Sequence, residues 1–263
     1  MKIQTDSNNS GIIGLKVGSA VVTKCRGVIN EVIIEEICKQ CAVLMREGKQ
    51  VFIVSSGAVS CGFKKGRSRN LCAAIGQVPL ANTYEKYFAK HGIEVSQHLF
   101  TDHDLLVANR VTRDTLTEAM SGGVIPIINA NDTVSSRELK NLESCTDNDR
   151  LFEIVCKLVG AAIAVIGFSE DGFRGKDGEI IHQINSGDEH LVEHARGGGE
   201  LGYGENGMET KFHVAYKLGR MGINSMLAPA SAKDFILRSV LRCQNKLDAN
   251  EKFGTLFVAD NNF

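Results

Sequence analysis

The sequence predicts an α/β fold built on a largely parallel sheet, for three reasons. Short apolar runs typical of buried strands alternate along the chain with segments of helical apolar spacing. Some of these runs end in short polar turns that lead into a helical segment. The 263 residues are 43% hydrophobic and 23% charged, which is typical of a globular chain with one large α/β core or two smaller ones.

The first half of the chain opens with a predicted strand at 12–17 and a helix at 31–47, with Gly48 at its C-cap. A buried strand at 51–54 and a helix at about 76–90 follow. A strand at 95–100, a helix at 109–120 and an apolar, strand-like run at 124–128 complete this half. The first helix is predicted from one apolar face: Ile33, Ile37, Cys41, Leu44 and Met45.

The second half begins with a predicted helix capped by Asp149. Strands are expected at 162–166, 223–228 and 255–258, and a helix at 209–219. Residues 173–206 are glycine-rich and polar, which predicts a hairpin and mobile loops. A change of composition near residue 160 indicates two lobes of one sheet. The capped helix is predicted from a second apolar face: Leu151, Ile154, Val155, Leu158 and Val159.

Charge and composition argue against several classes of protein. The net charge is -1, so no basic excess indicates a nucleic-acid partner. No apolar stretch is long enough to span a bilayer, and the N-terminus lacks a signal-peptide core, which predicts a cytoplasmic protein without a membrane partner. The 8 cysteines are then expected to be reduced thiols. Cys38 and Cys41 have the spacing of a redox or zinc site, but they lie in a helical pattern without a second Cys/His pair and are interpreted as buried thiols.

Two clusters of carboxylates and carboxamides lie close together at 129–132 (Asn-Ala-Asn-Asp) and 146–150 (Thr-Asp-Asn-Asp-Arg). The first follows a strand-like run, and the second precedes a helical one. Such side chains bind polar ligands by hydrogen bonds, and ligands of α/β sheets lie at the carboxyl ends of strands. The clusters therefore predict a site for a small polar substrate. Each cluster alone equally fits a turn or a helix cap.

Three further segments are typical of anion binding: residues 16–19 (Lys-Val-Gly-Ser), 55–58 (Ser-Ser-Gly-Ala) and 204–211, a glycine-containing loop that ends in lysine. Taken singly, they also fit a solvated lysine, a plain turn and a flexible surface loop. Taken together, they predict a phosphoryl-transfer site in which two lysines, distant in sequence, converge on the transferred group.

The motifs of this chain resemble those of the amino acid kinase superfamily and, within it, the glutamate 5-kinase family. The resemblance covers nearly the whole chain, and the two polar clusters are its most specific part. The matching segments are residues 16–19, 54–58 (Val-Ser-Ser-Gly-Ala), 73–77 (Ala-Ala-Ile-Gly-Gln), 128–132 (Ile-Asn-Ala-Asn-Asp), 147–149 (Asp-Asn-Asp), 207–211 (Gly-Met-Glu-Thr-Lys) and 254–257 (Gly-Thr-Leu-Phe).

The resemblance implies an αβα sandwich around a mainly parallel, eight-stranded sheet. Residues 1–263 would form a single kinase domain, with a glutamate-binding lobe at about 1–160 and a nucleotide-binding lobe at about 161–263. The implied reaction is ATP-dependent phosphorylation of L-glutamate to L-glutamyl 5-phosphate, the first step towards proline. It further implies Mg²⁺ held with the ATP phosphates, homo-oligomers, feedback inhibition by L-proline and a glutamyl phosphate reductase as partner.

The resemblance also implies roles for individual residues. Lys16 and Lys211 would stabilise the transferred phosphoryl group, and Asp149 would position them. The glutamate site would comprise Ser56, Gly57, Asn129, Asp132, Asp147 and Asn148. The nucleotide site would comprise Gly18, Ser19, Phe168, Ser169, Gly204, Glu205, Asn206, Gly207, Met208, Thr210 and Lys211. No protein ligand to the metal is identified.

Several positions depart from the family pattern. Phe168 and Ser169 stand where Thr-Asp is frequent, and Ser144 replaces a lysine. Arg150 stands where asparagine is frequent, and Glu205 and Asn206 replace Thr and Gly. A C-terminal RNA-modification-type domain is not expected.

Two alternatives stay open: the polar clusters argue against the first, and the altered residues at 168–169 motivate the second. One is a sister kinase acting on another carboxylate, carbamate or phosphate. The other is a non-catalytic regulator that binds glutamate or proline. The presence of Lys16, Asp149 and Lys211 favours an enzyme.

Overall fold

Strands and helices alternate through most of the computed structural model, which describes residues 11–25, 27–134, 148–197, 207–247 and 251–260. The strands are β1 Ile12–Val17, β2 Thr23–Cys25, β3 Val28–Ile29, β4 Gln50–Ser55, β5 Val95–Phe100, β6 Ile125–Ala130, β7 Ile163–Phe168, β8 Gln183–Ile184, β9 Asn224–Pro229 and β10 Thr255–Phe257. The helices are α1 Ser19–Val22, α2 Glu31–Arg46, α3 Ala58–Cys61, α4 Arg69–Ala89, α5 Asp102–Leu106, α6 Asn109–Ser121, α7 Asn148–Val159, α8 Gly207–Arg220 and α9 Phe235–Cys243, and Asp188–Gly197 is a 3₁₀ segment.

Eight of the described strands form one sheet in the order β5-β6-β4-β1-β7-β9-β10-β8. Neighbouring strands run parallel except β9 and β10, which are antiparallel. Strands β2 and β3 form a separate antiparallel hairpin. The predicted α/β class with a mainly parallel, eight-stranded sheet is therefore confirmed.

Each face of the sheet packs against helices, which gives the expected αβα sandwich. The first face, covered by α2, α4 and α9, receives Leu15 and Val17 of β1. The second face, covered by α6, α7 and α8, has Phe52 and Phe152 at its centre. Because side chains alternate along a strand, Lys16 lies on the second face, towards α7 and α8.

Several predicted elements differ from the structure. Helix α4 begins at Arg69 rather than at about residue 76, because Ser68 Oγ accepts a hydrogen bond from the N–H of Leu71 and caps the helix. Helix α9 was not predicted. Within 173–206, Arg174 pairs with Ile180 in a hairpin, as expected, but β8 joins the main sheet and a 3₁₀ segment follows it.

Helix α7 presents a different face to the core than predicted. Leu151 and Val155 are buried as expected, but Phe152 and Cys156 complete the buried face instead of the partly exposed Ile154, Leu158 and Val159. Asp149 lies in the first turn of the helix rather than at its N-cap. None of the helices in the described part of the chain has the length and apolar character needed to cross a membrane.

The packing of α3 against α4 depends on two glycines. A Cβ at Gly76 would lie 1.9 Å from the carbonyl oxygen of Ala58, and a Cβ at Gly62 would lie 1.9 Å from that of Cys72. Both contacts are with backbone atoms, so a side chain cannot be accommodated by a rotamer change. This close approach places the N-terminal end of α4 beside the turn that follows β4.

Gly76→Ala is therefore expected to reduce the free energy of unfolding by about 1–3 kcal/mol, the usual range for overpacking, or by more. The clash should outweigh the higher helix propensity of alanine. Urea unfolding would measure the change. Gly11→Ala is the control, because its added carbon would meet only ordinary contacts at 3.7 Å. Equal stability of Gly76→Ala and wild type would contradict the packing described here.

Candidate active site

Several of the predicted site residues that the structure describes lie where four adjacent parallel strands end. Strands β6, β4, β1 and β7 are neighbours in the sheet, and their carboxyl ends lie at one edge. Strand β1 is central, and the chain builds outward from it first on one side and then on the other, which is the arrangement that forms a ligand crevice in α/β sheets. The sheet thus brings together polar residues that are more than 100 positions apart in the sequence.

Two lysines converge on one carboxylate at this edge. Lys16 Nζ of β1 forms an ion pair with Asp149 Oδ1 of α7. Lys211 Nζ of α8 lies 3.4 Å from Asp149 Oδ2 and donates a hydrogen bond of 2.9 Å to the carbonyl of Gly207. The predicted convergence of the lysines is present in the structure.

The charges of this cluster are held in a buried environment. Lys16 is 3% exposed and Asp149 is 4% exposed. Burial raises the pKa of Asp149, but the nearby Lys16 and Lys211 outweigh that effect and hold the pKa below its ordinary value. The carboxylate is therefore ionised at neutral pH. One negative charge between two ammonium groups leaves a net positive charge, which suits a phosphoryl group.

A second group of polar side chains links β4, β6 and α7. Asn148 Nδ2 donates to Ser56 Oγ at 3.2 Å, and Asn148 Oδ1 accepts from the N–H of Ala130 at 3.2 Å. Asn129 Oδ1 accepts from the same N–H at 2.9 Å, and Asn129 Nδ2 donates to Gln77 Oε1 at 3.4 Å. Three predicted substrate residues, Ser56, Asn129 and Asn148, therefore share one hydrogen-bonded network.

The turn after β4 differs in detail from the expected anion-binding turn. The N–H of Ser56 already donates to the carbonyl of Val17 at 3.0 Å, so its hydroxyl is the group left to meet a ligand. Gly57 has a φ of 110°, and a Cβ there would lie 2.5 Å from Val22 Cγ2. Glycine is therefore needed for the backbone to turn at this position.

Asp132 follows β6 and faces a cation that sequence reasoning did not assign to the site. Arg69 NH2, at the start of α4, lies 3.2 Å from Asp132 Oδ1. Burial raises the pKa of Asp132, and Arg69 offsets only part of that effect. The folded protein thus holds a carboxylate in an environment that favours an additional positive charge nearby.

The predicted nucleotide residues are spread over β1, β7 and α8. The N–H of Gly18 donates to the carbonyl of Gly167, while Ser19 is exposed. The side chain of Phe168 is buried in the core, so Ser169 is the exposed residue of that pair. Four others lie in the first turns of α8: Gly207, Met208, Thr210 and Lys211. Their contacts with a nucleotide remain a prediction.

Some predicted residues lie outside the described part of the chain. Asp147 precedes α7, and Gly204, Glu205 and Asn206 precede α8, so the structure does not test them. Conversely, Arg69 and Gln77 were not predicted as site residues. Gln77 belongs to the 73–77 motif, for which the resemblance implies no role. The sequence around Arg69 contains no motif that links it to Asp132, so only its charge could have indicated a role.

Comparison with known proteins supports one family. Residues 12–228 match the model of the amino acid kinase family. The chain belongs to this family.

Curated relatives of this amino acid kinase include several glutamate 5-kinases. The protein of Alkaliphilus oremlandii is 32% identical over 98% of this chain and 100% of its own length. That of Clostridium acetobutylicum is 33% identical over 97% of both chains. That of Pelobacter propionicus is 34% identical over 93% of this chain, which spans 66% of that longer protein.

Two solved structures share the fold at low sequence identity. An isopentenyl phosphate kinase structure has a TM-score of 0.60 and 16% identity, and covers 94% of this chain and 100% of its own. A carbamate kinase from Giardia has a TM-score of 0.62 and 12% identity, with 95% and 99% covered. Since these enzymes act on different substrates, the fold of an amino acid kinase does not by itself define specificity.

The Mg²⁺ expected for an amino acid kinase has no protein-built cage in the described residues. They contain no group of three or more His, Cys, Asp or Glu side chains able to hold a metal. Both carboxylate oxygens of Asp149 face lysines, which makes this residue unsuitable as a metal ligand. Mg²⁺ that arrives on nucleotide phosphates, as is common for this ion, would not require such a cage. Cys38 and Cys41 are buried free thiols, as predicted.

Proposed function

We propose that this amino acid kinase transfers the γ-phosphoryl group of ATP to the side-chain carboxylate of L-glutamate, forming L-glutamyl 5-phosphate and ADP. One observation carries the proposal: the cationic cluster of Lys16, Asp149 and Lys211 lies at the same sheet edge as a network of amides and a carboxylate suited to an amino acid. The sequence relatives named glutamate 5-kinase support the choice of substrate.

The chemistry needs charge neutralisation rather than a base. A glutamate side chain has a pKa of about 4.3 and is already a nucleophile at neutral pH. Its oxygen attacks the γ-phosphorus, and the bond from that phosphorus to the bridging oxygen of ADP breaks. Lys16 and Lys211 offset the repulsion between the carboxylate and the phosphates. Asp149 contacts neither reactant in this scheme and holds the two ammonium groups in place.

The other end of the substrate would be held by the second group of side chains. The α-ammonium needs carboxylates, which Asp132 and Asp147 supply. The hydroxyl of Ser56 and the amide of Asn148 are donors for the rest of the molecule, with Gly57 shaping the turn. We place Asn129 in a supporting position beside Asn148, because the oxygens of both side chains lie within hydrogen-bond distance of the N–H of Ala130.

ATP would bind along the ends of β1, β7 and α8. This assignment uses Gly18, Ser19, Ser169 and the loop that enters α8, with Phe168 contributing through its backbone. Mg²⁺ bound to the phosphates would reduce their negative charge. We assign the nucleotide to the lobe formed by residues from about 161 onward, and glutamate to the preceding lobe.

The proposal also covers the partners, regulation and location of the enzyme. An acyl phosphate is labile, so a reductase that consumes it is the expected partner, in a route towards proline. Homo-oligomers, inhibition by L-proline and a cytoplasmic location are further parts of the proposal. The two alternatives, a sister kinase and a regulatory protein, are disfavoured because the amide network suits an amino acid and the lysine–aspartate cluster is intact.

A hydroxylamine-trapping assay tests the proposal directly. With Mg-ATP and L-glutamate, the product should be trapped as a hydroxamate, whereas L-aspartate, one methylene shorter, should give little. Stabilisation of the fold by Mg-ATP in a thermal-shift experiment would show nucleotide binding independently of turnover. Nucleotide binding without glutamate-dependent hydroxamate would support the alternatives instead. Hydroxamate formed equally from both amino acids would contradict the proposed substrate specificity.

A further inference from the structure

Arg69 occupies an unusual position for a surface arginine. It is the first residue of α4, and its guanidinium lies 3.2 Å from Asp132 Oδ1. The aspartate side chain is 7% exposed, whereas the arginine side chain is 47% exposed. One edge of the guanidinium therefore contacts a buried carboxylate, and much of the remaining side chain faces the solvent above it.

This arrangement is held by backbone packing, which separates it from an ordinary surface ion pair. Gly62 and Gly76 bring α3 and α4 into direct backbone contact, and α3 follows the turn that contains Ser56. Asn70 Nδ2, next to Arg69, also donates to the carbonyl of Thr133 at 3.2 Å. The start of α4 is thus connected both to the turn after β4 and to the segment after β6.

We propose that Arg69 determines substrate specificity by binding the α-carboxylate of the amino acid while Asp132 binds its α-ammonium. The inference rests on the proposed function and adds a residue to it. A guanidinium has five N–H donors in a planar fork, so a contact with Asp132 leaves donors for a second carboxylate. The charges of Arg69, Asp132 and the two charged groups of the amino-acid head would then alternate in sign.

Charge balance favours this arrangement over a merely structural pair. If Arg69 served only to neutralise Asp132, the α-carboxylate of the substrate would enter the site beside Asp132 with no cation assigned to bind it. With the α-carboxylate on Arg69 and the ammonium on Asp132, each charged group of the amino-acid head has a partner of opposite sign. Ser56 and Asn148 would then lie beside the remainder of the substrate, away from its two α-substituents.

Two substrate analogues separate these explanations. 4-Aminobutyrate is L-glutamate without the α-carboxylate, and glutarate is L-glutamate without the ammonium group. The measurements are the kcat and KM for L-glutamate and the inhibition constants of both analogues, for wild type and for Arg69→Ala, Arg69→Lys and Asp132→Asn. Lys65→Ala is the control, because Lys65 is an exposed cation in the segment just before α4.

Arg69→Ala is expected to raise the KM for L-glutamate and the inhibition constant of glutarate about 10- to 100-fold, as for one lost charge-assisted contact. Its kcat and the inhibition constant of 4-aminobutyrate should stay within about threefold of wild type. Asp132→Asn should show the opposite selectivity between the analogues. Arg69→Lys should recover part of the affinity, and Lys65→Ala should behave as wild type.

A KM for L-glutamate within about twofold of wild type in Arg69→Ala would overturn the inference, whatever the analogues show. So would an equal loss of affinity for both analogues, because a structural role would affect them alike. Thermal unfolding of each variant identifies any that are misfolded, and Arg69→Lys then provides the decisive KM. Failure of the proposed function is distinct: wild type itself would then form no hydroxamate from L-glutamate.

Discussion

Replacing Lys211 by alanine is expected to lower kcat about 10²- to 10³-fold, the range found when one group that stabilises transition-state charge is removed. The KM for L-glutamate should change little, because the proposed partner of this ammonium group is the transferred phosphoryl group rather than the amino-acid head. Steady-state hydroxamate formation at saturating Mg-ATP gives both constants. This combination of effects is the mark of an interaction made mainly in the transition state.

The fold should tolerate this substitution. Asp149 keeps its ion pair with Lys16, so the buried carboxylate retains a cation beside it. Lys217→Ala is the matched control, because Lys217 lies on the same helix, is exposed, and is the same type of residue. Turnover by Lys211→Ala equal to that of the control would remove Lys211 from the mechanism. A large rise in KM with unchanged kcat would move it to the substrate site.

The parts of the fold predicted correctly from the sequence are those with a strong local signal. Strands β1, β4 and β7 are short apolar runs between polar turns, and α2 shows clear helical periodicity. Helix α4 was predicted too short because its first turns lack that periodicity and its cap, Ser68, is an ordinary serine. Strand β8 has only two residues and is stabilised by pairing with β10. No local sequence pattern predicts this pairing.

The site residues likewise differ in whether a local sequence motif predicts them. Lys16, Asp149 and Lys211 were assigned because each belongs to a segment that matches a known motif. The contact between Arg69 and Asp132 joins residues 63 positions apart in the sequence, and Arg69 lies on the helix that packs against α3. Such a contact follows from tertiary structure alone. The sequence motifs therefore predicted the lysine–aspartate cluster, whereas the contact of Arg69 with Asp132 became visible only in the structure.

The hydrogen bonds of the turns also depend on the sheet. The N–H groups of Gly18 and Ser56 looked available for an anion, yet each donates to a neighbouring strand. Parallel strands extend their pairing by one residue beyond the apolar run, and this uses the first donor of each turn. At these two turns, the groups available to a ligand are therefore mainly side chains.

The largest effect on stability is expected for Asp149→Asn. This change preserves the shape of the side chain but removes the negative charge between two ammonium groups, of which Lys16 is almost fully buried. Loss of one partner from a buried ion pair typically costs about 3–5 kcal/mol in the free energy of unfolding. The kcat should fall as well, since repelling lysines cannot keep their positions. Urea unfolding and the hydroxamate assay measure the two effects.

The stability difference between wild type and Asp149→Asn should also depend on pH. Because the lysines hold the pKa of Asp149 below its ordinary value of about 3.9, its stabilising effect is fully present above that value. This stabilising effect should be lost as the pH falls through the lower, folded-state pKa. The free energies of unfolding of wild type and Asp149→Asn should therefore become equal only in strong acid.

Asp171→Asn is the control, because Asp171 is 69% exposed and its pair with Arg174 spans 3.8 Å. It should cost at most about 1 kcal/mol. A difference from wild type that stayed constant down to strong acid would mean that the carboxylate acts through something other than its charge.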